Sequence, residues 1–193
     1  MAALLAKFDG EEPPSLPFDG SAYISTPSGD KISRQSVLCG PQNIHLSGKT
    51  LIQHGVVIRG DSTTIKIGRY CIIEKNVTIR PSYKRYKGGF AFVPMTIGDN
   101  VIIGANSVVE AASIGSNVVV GKNCVIGQRA VLKDCTVVLD GTVCASDTMV
   151  PPYMCVKGIP GTLSPVPNPE CTGEIMHERV RKLYHAFSRS EAW

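Results

Sequence analysis

The sequence predicts an all-β solenoid, a parallel β-helix carrying one protruding loop and one C-terminal α-helix. Three observations predict it. First, aliphatic residues recur every six positions: Ile67, Ile73, Ile79, then Ile97, Ile103, Val109. After one five-residue step the series resumes at Ile114, Val120, Ile126, Leu132 and Val138, and it runs on less purely through Cys144, Val150 and Val156. Second, each repeat has a fixed grammar. A glycine follows the aliphatic residue at Gly68, Gly98, Gly104, Gly115, Gly121 and Gly127. A small or β-branched residue follows four positions on, at Cys71, Val77, Val101, Ser107, Val118, Cys124, Ala130, Thr136, Thr142 and Thr148. Third, Val and Ile dominate an apolar fraction of 43%, aromatic residues make up 6%, and 19 glycines and 13 prolines punctuate the 193 residues. Such a composition favours strands and turns over a helical bundle.

A period of six matches neither the helical 3.6 nor a simple hairpin. It matches a coil in which each hexad supplies one short strand and one turn. Three hexads then close a triangular coil of about 18 residues, and coils stack about 4.8 Å apart. The aliphatic residue points into the prism, and the small residue faces inward near a crowded corner. The glycine is expected to free the corner backbone to turn. Asn76, Asn100, Asn106, Asn117 and Asn123, each just before a small residue, tolerate left-handed backbone angles there.

These hexads resemble the hexapeptide-repeat family, and that resemblance implies a left-handed β-helix. The stretch VPPYMCVKGIPG from Val150 to Gly161 is similar to the closing coil of such proteins. Residues 1–20 carry four acidic residues and three prolines and are expected to form a mobile tail. The β-helix is expected over 21–160 and a Pro-rich linker over 161–171. A helix is expected over 172–188, capped by Thr172 and apolar along Met176, Val180, Leu183, Tyr184 and Phe187. Residues 81–95, PSYKRYKGGFAFVPM, interrupt the six-fold count as a loop that supplies no inward residue.

The formal charge of +4 is too small to point to nucleic acid. No apolar run approaches the ~20 residues that span a bilayer. The N-terminus meets Asp9, Glu11 and Glu12 at once and lacks the apolar core of a secretory signal. The seven cysteines, Cys39, Cys71, Cys124, Cys135, Cys144, Cys155 and Cys171, contain no CxxC pair. A disulfide framework or zinc ribbon is therefore not expected, and the cytoplasm is the expected compartment. Cys71, Cys124 and Cys144 fall at inward positions, where a thiol packs as a small hydrophobe and is inert.

Two enzyme classes use this scaffold. Val57-Ile58-Arg59-Gly60-Asp61, followed by Ile65-Lys66-Ile67-Gly68, is similar to the opening motif of gamma-class carbonic anhydrases. The resemblance implies a zinc held by three imidazoles. Carried onto this chain, the three ligand positions are Arg80, Ala105 and Glu110, and the family's Gln beside the metal is Glu74. A cation, a methyl group and a carboxylate cannot replace three imidazoles, so no zinc-bound water is activated. His45, His54, His177 and His185 lie outside those hexads. Acyl-transfer enzymes of this scaffold use a mid-prism His as general base, and no His lies between Ile67 and Pro169. The expectation is therefore no catalytic residue, no metal and no cofactor. A gamma-carbonic-anhydrase-like or acyltransferase-like enzyme is the alternative. Arg59 and Asp61 read either as an ion pair bracing a coil corner or as residues with an active role.

What remains is surface. Tyr83, Lys84, Arg85, Tyr86, Lys87, Phe90 and Phe92 combine aromatic and basic groups in the 81–95 loop, types enriched at interface hot spots. They form a candidate partner-binding surface; alternatively Phe90 and Phe92 pin the loop to the prism. The run from Tyr23 to Ile44, YISTPSGDKISRQSVLCGPQNI, with Gly48-Lys49-Thr50, Ile58–Asp61, Val120–Gly127, Val131–Cys135 and Val150–Pro152, resembles the dynactin subunit 5 family. That resemblance implies a non-catalytic subunit of the dynein activator dynactin, placed in its pointed-end complex. The implied partners are dynactin subunit 6, dynactin subunit 4 and the actin-related pointed-end protein, together with dynein cargo adaptors. It implies a cytoskeleton-associated place in the cytoplasm, with no nucleic acid and no membrane insertion.

Overall fold

The computed structural model describes residues 21–189, so the tail expected over 1–20 lies outside the described residues. Three parallel sheets wrap a triangular prism of about six turns, a left-handed β-helix. The first face stacks Lys31–Ser33, Leu51–Ile52, Ile72–Ile73, Ile102–Ile103, Val119–Val120, Val137–Val138 and Cys155–Lys157. The second stacks Val37–Cys39, Val57–Arg59, Thr78–Ile79, Val108–Val109, Val125–Ile126 and Val143–Cys144. The third stacks Ile44–Leu46, Ile65–Ile67, Met95–Ile97, Ser113–Ile114, Val131–Leu132 and Met149–Val150.

In-register parallel pairing sets each inward residue on its equivalent one coil away. One column reads Ile32, Ile52, Ile73, Ile103, Val120, Val138, Val156. The second reads Leu38, Ile58, Ile79, Val109, Ile126, Cys144. The third reads Leu46, Ile67, Ile97, Ile114, Leu132, Val150. Every aliphatic position of the series from Ile67 to Val156 is at most 4% exposed. The inward register is thus as the period implies. Met95 is also fully buried in this core. The last residue of the interruption therefore does point inward, against expectation, because it opens the third-face strand paired with Ile65.

The columns locate the irregularities. Steps from the first face to the second, and from the third to the first, are six residues throughout. From the second face to the third the chain takes 8 residues (Leu38 to Leu46), 9 (Ile58 to Ile67), 18 (Ile79 to Ile97) and 5 (Val109 to Ile114) before settling at six. All departures from the repeat gather along one edge of the prism.

The asparagines behave as expected: Asn76, Asn100, Asn106, Asn117 and Asn123 all have φ between 56° and 59°. They also stack, Asn76 Nδ2 donating to Asn106 Oδ1 (3.2 Å) and Asn100 Nδ2 to Asn117 Oδ1 (3.1 Å). The glycines require a different reason from the one expected. Gly104 does not adopt a left-handed φ; a Cβ there would stand 2.5 Å from the Gly121 carbonyl carbon and 2.7 Å from Lys122 N. Glycine is needed because successive coils touch backbone to backbone at this corner, not because the chain turns there.

The helix α1, Thr172–Arg189, lies on the first face. Met176, Val180 and Phe187 bury against the outward residues Leu51, Ile72, Ile102 and Val119, flanked by Tyr23, Tyr70 and Leu183. The Tyr184 hydroxyl donates to the Gly29 carbonyl (2.5 Å), tying α1 to the first coil. Thr172 does not cap α1: its hydroxyl turns back to the Pro169 carbonyl. Both ends of the first face are closed by antiparallel strands, Tyr23–Ser25 and Thr162–Leu163.

Candidate interaction edge

The edge between the second and third faces collects most of the charged and aromatic side chains singled out in the sequence. The 18-residue step there holds a β-hairpin, Tyr83–Tyr86 paired with Gly89–Phe92. Alternation puts Tyr83, Arg85, Phe90 and Phe92 on one side of this ribbon and Lys84 and Tyr86 on the other. Tyr83, Phe90 and Phe92 form a cluster of edge-to-face rings with centroids 5.6–6.5 Å apart. Lys84 Nζ stands 5.8 Å from the Tyr86 ring centroid. Every residue from Tyr83 to Phe92 is exposed.

The phenylalanines do not pin the hairpin to the prism. Phe90 is 67% exposed and Phe92 38%, and their ring contacts are with each other and Tyr83. The anchor is Arg129, which the sequence reading did not pick out. Its Nη1 donates to the Tyr83 carbonyl (2.7 Å), while Nε and Nη2 grip both carboxylate oxygens of Asp147 at 2.6 Å each. Arg129 holds the Asp147 carboxyl below its usual range through this hydrogen bonding. The available signal was spacing: Asp147 follows Arg129 by 18 residues, one full coil, which stacks them.

Two further ion pairs line the edge. Arg59 Nη2 meets Asp61 Oδ2 at 2.8 Å, both side chains exposed, so the two form an ion pair on the surface of this corner. Arg80 Nε donates to Glu110 Oε1 at 2.6 Å, and Glu110 is 8% exposed. Two of the three positions that the carbonic-anhydrase resemblance assigns to imidazoles are therefore a closed ion pair. The third, Ala105, stands at the opposite edge of the second face, where its amide donates to Glu74 Oε2 (2.9 Å). Within one chain the three positions do not converge. A cleft of about 530 Å³ opens between prism and hairpin, lined by Arg59, Arg80, Tyr83, Phe90, Phe92 and Glu110 among others. A second hollow of about 490 Å³ lies against Arg85, Tyr86 and Phe90.

The remaining reactive groups stay apart. Among the described residues no three His, Cys, Asp or Glu side chains converge as a metal site. His45 and His54 are exposed on different parts of the prism, and His177 and His185 lie on α1. Cys71, Cys124 and Cys144 are buried. Desolvation pushes the Cys71 thiol up to about 12 and Cys144 up to about 11, and it raises Cys124 as well. No helix is long and apolar enough to cross a membrane among the described residues.

Comparison with known proteins adds three findings. A family model described as dynactin subunit 5 matches residues 12–190. Dynactin subunit 5 of Dictyostelium discoideum is 49% identical over 86 residues, 45% of this chain and 43% of that protein, so the chain matches less than half the length of that relative. Among solved structures, a hexapeptide transferase family protein of Anaplasma phagocytophilum has a TM-score of 0.61 at 19% identity, covering 85% of this chain and 92% of that one. A perosamine N-acetyltransferase of Caulobacter crescentus has a TM-score of 0.56 at 16% identity, covering 71% and 57%. At such identities these two share the fold alone.

Proposed function

For this chain, which belongs to the dynactin subunit 5 family, we propose a non-catalytic role in the dynactin complex, as an interaction subunit of its pointed end. The observation that carries the reading is the hairpin edge. A two-stranded ribbon with aromatic rings and basic groups exposed to water is a poor way to stabilise a prism. It is a good way to present Tyr, Phe and Arg to a partner. The Arg80–Glu110 ion pair supports the absence of catalysis, because each group neutralises the other where the scaffold's hydratases place ligands. The partners in this reading are dynactin subunit 6, dynactin subunit 4 and the actin-related pointed-end protein, with dynein cargo adaptors engaged through the assembled end. The place of action is the cytoplasm, on the cytoskeleton.

The test is affinity purification of the full chain from cells, beside a variant with Tyr83, Arg85 and Tyr86 replaced by Ala. The Tyr83→Ala change keeps the carbonyl that Arg129 holds. The wild type is expected to co-purify with the other dynactin subunits in near-stoichiometric yield. The triple variant should stay folded and lose at least one partner, since such truncations typically cost ~2 kcal/mol or more each, about 30-fold in affinity. A wild-type chain that recovers no dynactin subunit overturns the assignment. A folded triple variant with undiminished yield in high salt moves the interface away from the hairpin.

A further inference from the structure

The hairpin is a sheet of two strands, so each strand keeps an edge with no neighbour. Its register fixes which backbone groups turn outward. The Lys87-Gly88 turn closes on the pair Tyr86 and Gly89, and at the base of the ribbon Val93 N donates to the Ser82 carbonyl (2.8 Å). Hydrogen-bonded and non-hydrogen-bonded pairs alternate along an antiparallel ladder. Tyr86 with Gly89, Lys84 with Ala91 and Ser82 with Val93 are then the bonded pairs. Arg85 with Phe90 and Tyr83 with Phe92 turn their N–H and C=O groups away from each other. The Tyr83 carbonyl bears this out, since it accepts from Arg129 on the outside of the ribbon. On the other strand, the N–H and C=O groups of Phe90 and Phe92 meet no partner among the described residues. Arg129 holds the Tyr83–Tyr86 edge, so the Gly89–Phe92 edge points away from that anchor and stays open.

The charge left over on this side of the prism has one sign. The described turns between the second and third faces carry the carboxylates Asp61, Glu110 and Asp147. Each is held by an arginine: Arg59, Arg80 and Arg129 in turn. Lys84 adds only the smallest of the attractions on Asp147. Lys84, Arg85 and Lys87 therefore remain, all on the hairpin and all exposed, with no free carboxylate to answer them.

The side chains suit the same kind of ligand. Phe90 and Phe92 present rings on one side of the ribbon. On the other side the small Ala91 stands opposite Lys84. A third strand laid against Gly89–Phe92 would place one side chain beside Ala91, within reach of the Lys84 ammonium, and its neighbours beside the two rings. The matching strand alternates acidic residues with apolar ones. Nucleic acid and anionic lipid answer positive charge too, but neither carries N–H and C=O groups repeating about every 7 Å, which is what completes a strand edge.

We propose that the open edge of Gly89–Phe92 takes an extended acidic segment of a partner protein as a third strand, with apolar side chains alternating with Asp or Glu. The inference rests on the hairpin being a partner surface. That reading falls with an undiminished yield in the co-purification above, whereas the peptide measurements below decide strand addition alone.

The experiment titrates the full chain into a fluorescent octapeptide of alternating glutamate and valine and reads anisotropy. Saturable binding that weakens with salt is expected. Two further octapeptides carry N-methyl groups on every glutamate or on every valine, since a methylated amide cannot donate and blocks pairing along its own edge. One of them should lose at least about tenfold in affinity while the other stays within about twofold. The sensitive set is the valines for an antiparallel strand and the glutamates for a parallel one. The variant Lys84→Gln, Arg85→Gln, Lys87→Gln removes the charge and keeps the backbone edge; it should melt as the wild type does and bind at least about tenfold more weakly. Equal loss with both methylated peptides, or loss with neither, overturns the proposal. So does unchanged affinity in the folded triple variant, or an unmethylated peptide that does not bind. Tighter binding of oligodeoxythymidylate or of phosphatidylserine vesicles than of the peptide overturns it in favour of a nucleic acid or a membrane.

Discussion

Gly104→Ala tests the architecture at its tightest point. A methyl group at residue 104 would lie 2.5 Å from the Gly121 carbonyl carbon, 2.6 Å from its oxygen and 2.7 Å from Lys122 N. All three atoms are backbone of the next coil, so no rotamer change relieves the overlap. Coils must separate locally, straining pairs such as Gly104 N to the Val120 carbonyl (2.8 Å). Overpacking of this kind costs about 3 kcal/mol at the upper end of its usual range, which in a protein this size lowers Tm by about 6–12 °C. Gly89→Ala is the control, since a Cβ there meets nothing within 4 Å. The contrast has a sign. If Gly104 were needed only for turn freedom, Ala at its ordinary φ would stabilise the fold by about 0.4–1 kcal/mol through the unfolded chain. Thermal unfolding followed by circular dichroism distinguishes the two, and a Gly104→Ala midpoint at or above that of wild type refutes the backbone-contact argument.

Three other outcomes follow from the structure. Ile126→Asp puts an unpaired carboxylate into a dry column between Val109 and Cys144, at a cost of several kcal/mol; insoluble or unfolded protein is expected, and an unchanged Tm would mean the inward register is wrong. In the native protein Cys171 should react with a thiol reagent while Cys71, Cys124 and Cys144 stay protected until unfolding; their burial-raised thiols leave almost no thiolate near neutral pH, and rapid labelling of Cys71 would contradict its placement. The Asp147 carboxyl is depressed by Arg129, so its contribution to holding the hairpin is complete above the ordinary carboxylate range and is lost as pH falls through the lowered folded value; NMR shifts of the hairpin should move only in acid, below that range, and Asp147→Asn should abolish the transition, whereas a midpoint at the ordinary carboxylate value would argue against the grip.

The period of six, by itself, determined that this chain is a stacked prism and which side chains fill it. An inward residue recurs only when strand and turn repeat together, so Ile67 to Val156 could be assigned without coordinates. The left-handed asparagines were legible for the same reason: a small residue at a fixed offset demands a turn of one kind. That the three positions assigned by the carbonic-anhydrase resemblance hold Arg80, Ala105 and Glu110 was likewise a matter of counting. Three things were not legible. The reason for the glycines lies between coils, at Gly104 against Gly121, and no local pattern separates close approach from turn freedom. The hairpin's anchor joins Arg129 to Tyr83 across 46 residues, through a loop that breaks the period which would have aligned them. The face that α1 covers is settled only once pairing is set: the outward residues of the first and second faces look alike in sequence, and tertiary structure alone decided that α1 covers the first, because Met176, Val180 and Phe187 reach Leu51, Ile72 and Val119 and not Val57, Val108 and Val125.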